Sequence, residues 1–97
     1  MKIQSAYSSV YLLLKEELKD QKQIFEKKKE RMWFIVNRQK VLSDIYRLIS
    51  SLEKSGAKIQ KELITSFTDG LDERKMENAL HNYMDRLEKL STLIESL

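Results

Sequence analysis

From Ile3 to Lys54 the chain runs for 52 residues without a glycine or a proline. Those two residues supply most of the backbone conformations that hairpins and tight loops require. A stretch lacking both is confined to helix or to long strands, and the spacing of its apolar residues separates the two. Stepping alternately by four and three from Tyr7 reaches Tyr11, Leu14, Leu18, Gln21, Phe25, Lys28, Met32, Ile35, Gln39, Leu42, Tyr46 and Ile49. Ten of these thirteen positions are apolar, where a strand would alternate every two residues. The exceptions, Gln21, Lys28 and Gln39, have stems long enough to lie along a seam. Val10, Ile24, Ile45 and Leu52 widen the stripe, as in a bundle helix rather than a two-stranded zipper. The spacing predicts a helix over about 3–54.

Ser55-Gly56 is the first punctuation, and Gly56 reads as the left-handed residue that closes this helix. Ile59, Leu63, Ile64 and Phe67 then predict a short helix over about 57–68, ended by Thr68-Asp69-Gly70. Asp72 reads as the N-cap of a last helix over about 72–96, with Leu71 packing on Met76 as a hydrophobic staple. Glu73 in its first turn suits the helix dipole. Met76, Leu80, Tyr83, Leu87, Leu90, Ile94 and Leu97 follow the four–three alternation without a miss.

Length sets these elements against one another. At 1.5 Å per residue the first helix would span ~78 Å, the last ~37 Å and the short one ~17 Å. Folded back, the two shorter helices cover about half of the first. Two arrangements are open. The first helix breaks within Lys19-Asp20-Gln21-Lys22-Gln23 to give a four-helix bundle, or it stays straight and its free half binds another chain. The absence of any breaker favours the straight helix. The expected fold is all-α: one domain over 1–97, with a long N-terminal helix against a short and a C-terminal helix. Either a helical hairpin or a three- to four-helix bundle with coiled-coil-like packing satisfies the pattern.

Composition excludes several function classes. With no cysteine there is no disulfide framework and no thiolate metal site. The one histidine, His81, has Glu77 and Asp85 on its helix face, but no second imidazole accompanies it and the three read as a solvated face. No nucleophile–base–orienter set is visible, so neither catalysis nor a cofactor is expected. No secretory leader and no apolar run of membrane-spanning length appears, which makes the cytoplasm the expected compartment. The net charge of +3 is unevenly spread: Lys and Arg outnumber Asp and Glu by 13 to 7 over residues 1–60, and are outnumbered 5 to 8 over 61–97. Opposite signs on the two parts favour antiparallel docking or like-to-unlike association.

Three constellations are candidate surfaces. Tyr7, Tyr11, Leu14, Leu18 and Phe25 form the stripe that a straight first helix would leave bare, and burying each is worth ~1.5–3 kcal/mol. Met32-Trp33-Phe34-Ile35-Val36 is apolar around the whole helix circumference. It fits the centre of a bundle, or Trp33 and Phe34 anchor a partner. Lys27, Lys28, Lys29, Arg31, Arg38 and Lys40 make a basic patch that could steer an acidic partner or meet nucleic acid. Consecutive lysines point in different directions around a helix, so this run makes no groove. The reading that follows is a non-enzymatic helical protein-interaction module, an adaptor, chaperone or assembly subunit. It would bind a partner chain or a second copy of itself, a dimer being the first expectation; a nucleic-acid-associated protein using residues 22–40 is the alternative. In size, basic helical character and unfinished apolar faces the chain resembles the small bacterial chaperones and gatekeeping proteins of flagellar and type III secretion. It also resembles bacteriocin immunity proteins in size. The resemblance is one of architecture, and it implies a cytoplasmic helical protein with a protein partner.

Overall fold

In the computed structural model of the chain, residues 2–33 and 36–97 are described, with side chains placed for all of these except 2–5 and 66–69. Three helices make up the fold: α1 Lys2–Lys29, α2 Arg38–Asp69 and α3 Glu73–Glu95. They pack pairwise against one another into a rod of 52 × 18 × 16 Å. Tyr7 of α1 meets Glu77 of α3, and Lys28 meets the carbonyl of Ile94, so α1 and α3 run parallel. Contacts of Lys29 with Tyr46 and of Glu62 with Lys75 set α2 antiparallel to both.

The all-helical architecture follows from the four–three spacing, but the helix boundaries differ from the sequence reading in two places. The first helix neither runs on to residue 54 nor breaks near residue 20. It is continuous through Lys19–Gln23 and ends at Lys29. The amide of Arg31 closes it on the Lys28 carbonyl at 3.0 Å, and that of Met32 on the Lys29 carbonyl at 3.2 Å. The helix ends without a glycine or proline, just before a run, 33–36, of aromatic and β-branched residues whose helix propensity is lower than that of leucine or lysine. Three lysines in the last turn of α1 favour its C-terminal dipole. The carbonyl of Asn37 then accepts from the Val41 amide at 3.0 Å to start α2.

The second difference is at Gly56, which lies inside α2 and does not end it, so the short helix over 57–68 is the second half of a 32-residue helix. A Cβ on Gly56 would stand 3.1 Å from the Tyr11 hydroxyl oxygen and 3.5 Å from Cε2 of Tyr83. This glycine marks where two tyrosines close on the α2 backbone. Gly70 does terminate a helix, with φ of +81° immediately after Asp69. Asp72 caps α3 by accepting from the Lys75 amide at 3.2 Å.

Each helix contributes one stripe to the core. α1 supplies Tyr11, Leu18, Phe25 and, just past its end, Met32. From α2 come Leu42, Ile45, Ile49, Leu52, Ile59 and Leu63, and from α3 the six buried residues Met76, Leu80, Tyr83, Leu87, Leu90 and Ile94. Leu71 and Leu97 pack at its two ends. Two of the three polar members of the first stripe are accommodated as long stems permit, while Gln39 is exposed. Gln21 is buried and donates to Glu17, and Lys28 reaches across to donate to the Ile94 carbonyl at 3.0 Å.

Candidate functional site

The stripe assigned to a partner from sequence is turned inward. Tyr11, Leu18 and Phe25 are core residues, and Tyr7 and Leu14 are half-buried against the same cluster. Because α1 ends at Lys29 and α2 returns antiparallel to it, α2 and α3 pack along α1. That covering removes the premise of a bare half-helix. Tyr11 and Tyr83 meet edge to face at 6.2 Å between ring centroids. Burial pushes the Tyr83 phenol up to about 12. The Tyr7 hydroxyl donates to Glu77 at 2.9 Å, and that hydrogen bond raises the phenol to about 12 as well.

Apolar surface appears on the helices at Leu12, Leu13 and Ile64, which are exposed, and at the α1–α2 connection. Met32 is buried, whereas Trp33 is 80% exposed and Val36 97% exposed. Phe34, the other anchor read from sequence, and Ile35 lie outside the described residues. Met32, Trp33 and Val36 therefore stand outside any helix, at the pole of the rod where α1 and α3 end and α2 begins.

The basic patch is divided by function. Lys28 caps α3 through the Ile94 carbonyl. Lys29 donates to the Tyr46 hydroxyl at 2.8 Å, pairs with Glu26 at 3.2 Å, and lies over the Phe25 and Tyr46 rings. The hydrogen bond Lys29 donates to Tyr46 is the main cause that raises the lysine's pKa, followed by the one it donates to Glu26. These two lysines hold the pole together. Arg38 is half-buried, and its Nε is enclosed without a hydrogen-bond partner among the described residues. Lys27, Arg31 and Lys40 are exposed, Arg31 within the connection and the other two at the adjoining ends of α1 and α2.

No protein-family model, no curated protein and no solved structure matches the chain. Its surfaces must therefore be read from their own chemistry. No helix among the described residues is long and apolar enough to cross a membrane, and no group of three His, Asp or Glu side chains among them is placed to hold a metal ion.

One surface was missed in the sequence. Lys40, Arg47, Lys54 and Lys61 recur at intervals of seven in α2, with Lys58 between the last two, and all five are exposed. At the rise of an α-helix they form a ridge ~32 Å long. The residues interleaved on that face are Ser43, Ser50 and Ala57. None of the five cations enters an ion pair among the described residues. Of the described α2 carboxylates, Glu53 bridges to Lys22 at 3.2 Å and Glu62 to Lys75 at 3.1 Å. Asp44 is half-buried, four positions from Lys40 and three from Arg47, with no ion pair among the described residues. Beside the ridge, Arg86 of α3 reaches over to donate from Nη1 to Ser51 at 2.9 Å and to Ser55 at 2.6 Å. Its guanidinium is thus held by neutral hydroxyls. The groove of about 810 Å³ between α1 and α2 has a different character, because Lys15, Lys19, Lys22 and Lys27 share it with Glu16, Glu26 and Glu53.

Proposed function

We propose that this protein is a non-enzymatic interaction module that docks another protein through the pole bearing its α1–α2 connection. The observation that carries the reading is Trp33, the bulkiest exposed apolar side chain among the described residues, in the same connection as the exposed Val36. Leu12, Leu13 and Ile64 are the other strongly exposed ones, on the helices. An indole offers a large, rigid contact area at low entropic cost, and tryptophan is enriched among the residues that dominate protein interfaces. In this reading Trp33 and Val36 enter an apolar recess on the partner. Lys27, Arg31 and Lys40 meet a carboxylate rim, which speeds encounter more than it adds affinity.

Site-specific photo-crosslinking in the cells that produce the protein tests this. A photoreactive phenylalanine analogue at position 33 is expected to give one discrete adduct, whose mass separates a second copy of the chain from a different partner. Reversing Lys27 and Arg31 to glutamate is expected to lower its yield several-fold. The same probe at Gln60, exposed on α2 away from the pole, is expected to give no such adduct. Equal adducts at the two positions, or none at position 33, defeat the reading.

A further inference from the structure

The geometry points to a second binding surface, which shares only Lys40 with the pole: the cationic ridge of α2, with Arg86 beside it, binds the phosphate backbone of a nucleic-acid duplex without reading sequence. Three observations carry this. First, the ridge is continuous. Four cations at heptad spacing drift by only about 20° per heptad around a straight helix, so they share one face, and five of the six basic residues of α2 belong to it. Second, the ridge is not neutralised. Its five cations have no carboxylate partner among the described residues, while the lysine-rich groove between α1 and α2 is crossed by the Lys22–Glu53 bridge. Third, Arg86 is fixed in place by Ser51 and Ser55, which leaves its formal charge uncompensated.

The type of partner follows from what the ridge lacks. A protein interface needs apolar contact area at its centre, and the interleaved residues here are serines and an alanine. An amphipathic helix that lies on a membrane inserts a large apolar face, and this face has none. Single-stranded nucleic acid is held largely by stacking on aromatic rings. The ridge bears no aromatic, and the nearest exposed ring on α2, Tyr46, is engaged by Lys29 toward α1. Lysine, arginine and serine in a row match the side chains that contact phosphate oxygens. A length of ~32 Å is about one turn of duplex, whose two strands present one charge per ~1.7 Å.

The test is fluorescence anisotropy with a 20-base-pair DNA duplex of mixed sequence across a salt series. Displacing counterions from about four to six phosphates predicts a slope of log K against log salt of about −4 to −5. A duplex of different sequence is expected to bind equally well, and a single strand of the same length more weakly. Lys54→Glu with Lys58→Glu, both on exposed side chains, is expected to weaken binding at least thirtyfold. Lys54→Ala alone is expected to flatten the slope by about one. Lys15→Glu with Lys19→Glu changes net charge by the same amount in the other groove and is expected to stay within about threefold of the native chain. Equal loss in both double variants, no salt-dependent binding at 50 mM salt, or preference for phosphatidylserine vesicles over duplex each overturns the assignment.

Discussion

A methyl group added at Gly56 meets the Tyr11 hydroxyl at 3.1 Å, closer than ordinary carbon–oxygen contact, and the Tyr83 ring at a more comfortable 3.5 Å. Alanine is favoured over glycine inside a helix by about 1 kcal/mol, so the hydroxyl of one tyrosine decides the outcome. Gly56→Ala alone is expected to be neutral or destabilising. Made together with Tyr11→Phe, which removes the obstructing oxygen, the same change is expected to stabilise by about 1 kcal/mol. A double-mutant cycle by urea denaturation measures the coupling, and additive effects would show that the contact does not govern this position. Glycine in a sequence carries two meanings that only the packing separates. Gly70, at positive φ with no neighbour near its missing Cβ, is the terminator that its surroundings Thr68-Asp69 and Leu71-Asp72 suggest. Gly56 looks alike in one dimension, yet its role is set by Tyr11, 45 positions away.

Among the elements, α3 was readable almost to the residue, because a cap, a left-handed glycine before it and seven unbroken apolar positions all agree. α1 and α2 were readable as helix but not as two helices. What separates them is the run from Met32 to Asn37, which lacks the two residues that usually mark a turn. Its aromatic and β-branched side chains have lower helix propensity than leucine or lysine, and the lysines before it and Asn37 after it are the local signs that a boundary is near. The second half of α2 was misassigned for the opposite reason, and with it went the basic ridge. With the chain cut at Gly56, Lys58 and Lys61 belong to another helix, and the heptad of cations cannot be seen. The corrected boundaries move the α1 stripe from interface to core, and that change is measurable. Phe25 is 1% exposed, so Phe25→Ala is expected to destabilise by about 3–5 kcal/mol. Circular dichroism during urea unfolding reads this directly, and a loss below about 1 kcal/mol would return the stripe to the surface.

At the scale of the molecule, the end of α1 at Lys29 shortens the reach of the chain by about a third, from the ~78 Å of an unbroken first helix to a rod of 52 Å. It also sorts the aromatic side chains. The tyrosine pair Tyr11–Tyr83 sits at mid-length inside the bundle, and the one tryptophan stands outside at the pole. Emission from that tryptophan therefore reports the solvent already around it. On heating, the ellipticity of the helices is expected to collapse while the tryptophan emission maximum, already near that of an indole in water, moves little. Disagreement between two probes is ordinarily the sign of a populated intermediate. In this protein it would be a matter of where the fluorophore stands, and a melting curve recorded by tryptophan emission alone would describe the pole while remaining blind to the loss of the core.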